Sequence, residues 1–274
     1  MIDPIALIEL TNLKASGQLG ALAQHPQLGM KPEWMGELAK DKRIVVRYHL
    51  AQNPALSSGT EAARHLSKDR SKNVRRYLAL NPAIANFPEI IEKFSGDKSD
   101  FVREALAQNP AIANFPKIIE KFSGDKSDFV RAALAHNPAI ANFPEIVRKL
   151  SSDKDSLVRK ALALNPAIAN CPEVGERLST DEDTYVRAAL ATNQVIANFP
   201  EIAKTLASNR FANVVCSLAR NPAIANASDV IKKLGKDKRS PVREALATNP
   251  AIPTSTANTN SWQTTQPATA MPTL

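Results

Sequence analysis

Asn53, Asn81, Asn109, Asn137, Asn165, Asn193, Asn221 and Asn249 follow one another at a constant interval of 28 residues, all but Asn193 before a Pro. Val46, Val74, Val102, Val130, Val158, Val186, Val214 and Val242 keep the same interval, so no insertion disturbs the register. A period of this size marks a solenoid, in which each unit buries its apolar face only against its neighbours. At 274 residues a single globular core would be near its usual upper limit, whereas a stacked core has none. The chain therefore reads as one continuous array.

Residues 97–124 show what a unit contains. Asp100 or Ser99 is the expected N-cap, and Val102, Ala105 and Leu106 follow at helical spacing with Phe101 alongside. This predicts a first helix of roughly ten residues. It should stop at Asn109, because Asn tolerates the left-handed conformation past a helix end and Pro110 disfavours the α region for the residue before it. After an Ala-Ile-Ala connector, Asn114-Phe115-Pro116 opens a second helix with Pro in its first turn. An acid three residues past the Asn, as in Asn86 with Glu89 and Asn142 with Glu145, can bond back to the cap. Ile118, Ile119 and Phe122 supply the apolar face. The expected unit is thus a helix, a tight Asn-Pro connector and a shorter helix that is partly 3₁₀.

The ends differ from the array at 41–253. Residues 1–40 carry a degenerate copy, with His25-Pro26 one period before Asn53-Pro54, as a terminal cap requires. Residues 254–274 turn to Thr, Ser, Asn, Pro and Gln without periodicity, which predicts a disordered tail. Cys171 and Cys216 have no partner at metal spacing and read as reduced thiols. With no signal-peptide pattern and no apolar run of membrane length, the expectation is a soluble, cytoplasmic protein without membrane contact. The formal charge of +8 is uneven: residues 41–68 sum to +3 and 209–236 to +4, while 97–124 and 153–180 are neutral. A sheath for nucleic acid would carry its positive stripe through the centre.

The string Val-Arg-x-x-Leu-Ala-x-Asn-Pro, with an Asp six residues before the Arg, resembles the leucine-rich-repeat variant family and more distantly the HEAT class. The resemblance covers roughly residues 20–252. It implies an all-α, right-handed superhelical solenoid of two-helix repeats, α plus short α or 3₁₀, and a binding or scaffolding role. The period here is longer than is usual for that family, and the cysteine cluster that holds an iron–sulfur centre in some members has no counterpart. No cofactor is expected.

Two rows read as structural. Asp97 with Arg103 and Asp125 with Arg131 represent a recurring Asp/Arg set, each Arg expected to meet an Asp of its own or the adjoining unit in a bidentate pair. The row containing Asn109 and Asn137 is expected to satisfy backbone groups at the connector. Partner-binding candidates are instead the positions that vary: Tyr48, His49, Arg76 and Tyr77, aromatic and cationic where middle repeats carry small residues, and Arg220. In the unit at 209–236, Asn209 replaces the Asp and Val215 the Arg, and their joint loss suggests that the two are partners. The four histidines lack ligand spacing, and no phosphate loop or nucleophile–base set occurs. These features point to a non-enzymatic, monomeric interaction or scaffolding module that binds a protein or peptide partner along its concave solenoid surface. The alternative is nucleic-acid binding through a basic face that includes Tyr48, Arg76, Tyr77, Lys232, Lys233 and Lys236.

Overall fold

The computed structural model describes residues 18–25, 28, 32–58 and 60–252. The proposed tail at 254–274 and positions 1–17 of the expected cap lie outside them. Among the described residues all regular structure is helical: seventeen α-helices, with 3₁₀ turns between them and no strand. The chain forms two compact units that divide between Cys171 and Pro172.

The first unit holds α1 (Leu19–Gln24), α2 (Pro32–Ala39), α3 (Ile44–Gln52), α4 (Thr60–Leu66), α5 (Lys72–Leu80), α6 (Pro88–Ser95), α7 (Asp100–Gln108), α8 (Pro116–Ser123), α9 (Asp128–His136), α10 (Pro144–Leu150) and α11 (Ser156–Ala163). Odd-numbered helices pack on odd-numbered ones, from α1 through α11, and α2 packs on α4 and α8 on α10 in a second layer. Between the layers Val102, Leu106, Ile112, Ile119 and Phe122 are fully buried, and their counterparts repeat the pattern one period away. The second unit has α12 (Pro172–Ser179), α13 (Thr184–Thr192), α14 (Pro200–Ala207), α15 (Ala212–Arg220), α16 (Ser228–Gly235) and α17 (Ser240–Ala247), arranged by the same rule. The fold is an all-α repeat solenoid.

Local details depart from the sequence reading. Each repeat has three elements, because the connector is itself a 3₁₀ turn, as at Pro110–Asn114, and the second helix is α throughout. Asn109 is extended (φ −75°, ψ 126°) and not left-handed, so the constraint from Pro110 decides its conformation. The second helix is capped by Phe115 and not Asn114, with Pro116 in its first turn. The acid therefore sits at the second helical position, and in the α6 copy no side chain bonds back to the cap. Glu89 is held below the usual carboxylate range by its own backbone amide and then by Arg64, 2.9 Å away in the preceding repeat. Phe101, expected beside the apolar face, is 43% exposed.

Candidate functional site

The frame that positions any site is a pair of side-chain ladders. Each Asn of the connector row that bonds in this way is buried and spends its whole amide. Asn109 Nδ2 donates to Ala79 O (2.8 Å) and Asn81 O (3.1 Å) of the preceding repeat, while its Oδ1 accepts from Ala111 N–H (2.9 Å). Asn53, Asn81, Asn137 and Asn165 repeat this in the first unit, and Asn221 and Asn249 in the second. Ala79 O lies in the last turn of α5, where the helix offers it no donor of its own, and Asn81 O shares its bond with the Ile84 amide (3.1 Å).

The Arg ladder uses both neighbours that the sequence offers. Arg103 reaches forward to the Asp125 carboxylate with Nε (2.7 Å) and Nη2 (2.9 Å), and Nη1 returns to the backbone carbonyl of Asp97 in its own repeat (2.8 Å). Arg47–Asp69, Arg75–Asp97 and Arg131–Asp153 make the same bidentate bridge between layers, with side chains less than a tenth exposed. Burial pushes the Asp97, Asp125 and Asp153 carboxyls up, but the hydrogen bonds and charge of their arginines, with a backbone amide each, outweigh it and hold them below the usual range. A carboxyl with a depressed folded pKa contributes stability above its unfolded pKa and loses it as pH falls through the folded value. Thermal melts should therefore show a flat midpoint from about pH 8 to about pH 5 and a steep fall below about pH 4. A fall that begins near pH 6 would assign the pH dependence to other groups.

Because each bridge runs forward into the next repeat, Asn209 and Val215 are not partner positions, contrary to the sequence reading. By register, Asn209 removes the acceptor of Arg187, and Val215 removes the donor of Asp237. Arg187, 8% exposed, keeps the Asp181 and Glu182 carbonyls and Thr184 Oγ1 and stands 5.4 Å from the Phe211 ring centre, while its buried Nε has no hydrogen bond. Asp237 is instead clasped by Arg239 two residues on, through Nε (2.8 Å) and Nη2 (2.7 Å). The first Asp of the array has the same arrangement: buried Leu19 stands where its arginine would be, and Arg43 clasps Asp41 at 3.0 and 3.1 Å. Substitute arginines thus occur at both places where the forward bridge has no donor.

On α3 and α5, four of the five candidate residues come together. The Tyr48 and Tyr77 rings meet edge to face at 4.5 Å, Tyr48 lies 5.1 Å from His49, and the Arg76 guanidinium stands 5.8 Å from the Tyr77 ring centre. The Gln24 amide bonds the His49 ring. A hydrogen bond from Tyr77 lowers the Tyr48 phenol from its ordinary range, with a further contribution from Gln52, and raises that of Tyr77. Burial raises the Glu104 carboxyl one layer on, against the charge of Arg76, and Arg76 Nε is buried with no hydrogen bond. These side chains are half-buried, so their rings are held while their edges stay accessible. Arg220 lies in the second unit, exposed in the last turn of α15.

Sequence reasoning missed two rows. Lys93, Lys121 and Lys149 each bond a Ser of the preceding repeat, at 3.4, 3.2 and 2.9 Å. Lys42, Arg70, Lys98, Lys126 and Lys154 form a largely exposed row beside the buried Asp of the ladder. They recur at the 28-residue interval over three and five consecutive repeats, so the signal was present and was eclipsed by the Asp/Arg rows. Among the described residues no cluster of three or more His, Cys, Asp or Glu could hold a metal ion, and no helix is long and apolar enough to cross a membrane.

The architecture defines the class as a helical-repeat solenoid protein. No protein-family model and no curated protein matches the chain. Among solved structures it is similar to one described as "a leucine-rich repeat variant with a novel repetitive protein structural motif", at 18% identity over 77% of this chain and 88% of that one, with a TM-score of 0.47. The repeat string resembles the same class.

Proposed function

We propose that the protein is a non-enzymatic, cytoplasmic interaction or scaffolding module that binds a protein or peptide partner across its odd-numbered helices, and that it acts as a monomer. The observation that carries this reading is the Tyr48–Tyr77 ring pair with His49 and Arg76 beside it. Rings and guanidinium groups held half-exposed on a rigid surface are what interface anchors consist of, since they gain large contact area while losing little side-chain freedom. Nothing in the ladders requires aromatic residues at these positions, because the middle repeats carry Ala105 and Ala133 where Tyr77 stands. The residues past 171 contribute Arg220 to the candidate surface of their own unit.

The test is a peptide selected from a displayed library against the wild-type chain. Tyr48→Ala with Tyr77→Ala should weaken that peptide by about 30-fold, the size of an anchor loss of about 2 kcal/mol, with an unchanged melting midpoint. Selected peptides that bind the double variant as tightly as the wild type would move the interface elsewhere.

A further inference from the structure

In each unit the loops that lead into the odd-numbered helices carry cations, and these are not distributed evenly among the repeats. Near the start of the first unit a cavity of about 530 Å³ is lined by Lys40, Lys42, Lys68 and Arg70, with Arg47, Asp41 and Asp69 in its wall. The two carboxylates are already engaged, Asp69 by Arg47 and Asp41 by Arg43. Lys40 makes only a loose 3.8 Å contact with exposed Glu61. In the second unit a cavity of about 600 Å³ is lined by Arg210, Lys233, Lys236 and Lys238, and its single carboxylate, Asp237, is held by Arg239.

The two cavities occupy the same register. Lys42, Lys68 and Arg70 correspond, six periods on, to Arg210, Lys236 and Lys238. At the position of Lys68 the intervening repeats carry Gly96, Gly124, Ser152, Thr180 and Ser208 instead. Among the described residues a three-cation set therefore occurs twice, each time around a cavity, while the repeats between lack at least one of the three. α3 and α5 begin without a side-chain cap, but so do α7 and α9 of the intervening repeats and α15 and α17 of the second unit, so the cations and not the helix ends single out the two sites. In the second unit an exposed ring adjoins one of the lining cations, Arg210 lying 4.6 Å from the centre of Phe211.

We propose that each three-cation cavity binds the phosphodiester backbone of a single-stranded nucleic acid, with Phe211 adjoining the second. Converging cations with neighbouring aromatic faces are the combination by which strands are held without base-specific readout. This goes beyond the interaction reading and does not rest on it, since no residue of the Tyr48 cluster takes part.

The experiment is fluorescence anisotropy of a labelled oligothymidylate of about twenty nucleotides with the full chain, over a salt series. Three neutralised phosphates should give a log–log salt slope of about −2. Lys42→Glu, Lys68→Glu and Arg70→Glu together should remove one of the two sites and halve the stoichiometry at saturation, and adding Arg210→Glu, Lys236→Glu and Lys238→Glu should weaken binding by about tenfold or more. Lys98→Glu, Lys126→Glu and Lys154→Glu change the net charge as much as the first triple and should cost less than about threefold. The single change Lys68→Ser, which installs the residue type of Ser152, should lower affinity without touching the fold, as a melting curve checks. Equal loss in the two triple variants would reduce the effect to net charge and overturn the proposal. So would tighter binding of polyglutamate, of duplex DNA or of phosphatidylserine vesicles than of the oligonucleotide.

Discussion

Arg131→Ala is expected to destabilise the chain by about 3–5 kcal/mol, a drop in melting midpoint on the order of 10 °C. The reason is what it leaves behind. Asp153, with a side chain 9% exposed, would keep its ionised carboxylate but lose the donors at 2.6 and 2.9 Å, and the Asp125 carbonyl would lose its bond at 2.8 Å. Removing one member of a buried pair costs far more than replacing both, because the remaining charge has neither water nor counter-ion. The natural break supplies a rescue design. Val215 stands in place of an arginine, and Asp237 is clasped by Arg239. Arg131→Val combined with Asp155→Arg places the substitute two residues after Asp153 and should recover about half of the loss, the remainder reflecting the cap that Asp155 gives to Leu157 N–H. Calorimetry of the single and double variants checks this. No recovery would mean that the clasp at Asp237 depends on more than its arginine.

Asn109→Ala should cost about 3 kcal/mol, since it strips partners from two carbonyls and one amide in a buried setting. Asn109→Asp separates hydrogen bonding from shape. It keeps the acceptor for Ala111 N–H but turns a carboxylate towards the Ala79 and Asn81 carbonyls, which offer no proton. It should therefore be at least as damaging as Ala at neutral pH, in urea unfolding followed by circular dichroism. If Asp were better tolerated than Ala, the donated bonds would not be what fixes one layer on the next.

The sequence made the repeat legible and left its pairing open, for a physical reason. In a strict repeat, the Asp that precedes an Arg within its own unit and the Asp that follows it in the next are equally regular. Only the direction of the guanidinium shows that the carboxylate comes from the next repeat and the carbonyl from its own. The same ambiguity produced the wrong pairing of Asn209 with Val215. The stretch from Pro110 to Asn114 is too short to display a period, so the 3₁₀ turn was hidden, and Phe101 was misread because it adjoins Val102 in sequence while facing solvent at the helix start. The aromatic cluster was legible as a set of unusual residues. That Tyr48, in one layer, meets Tyr77, in the next, depends on stacking geometry that no single repeat contains.

The central claim is a division between a frame of Asn and Arg ladders and a face that carries recognition. It is tested most directly by titrating one library-selected peptide against Arg131→Ala and against Tyr48→Ala with Tyr77→Ala, each at a temperature where it is folded, alongside their melting curves. The predicted result is a lower midpoint with near-wild-type affinity for the first variant, and a wild-type midpoint with affinity reduced by about 30-fold for the second. Loss of affinity in Arg131→Ala at an unchanged midpoint would contradict the account, because it would put the ladder itself in the binding surface.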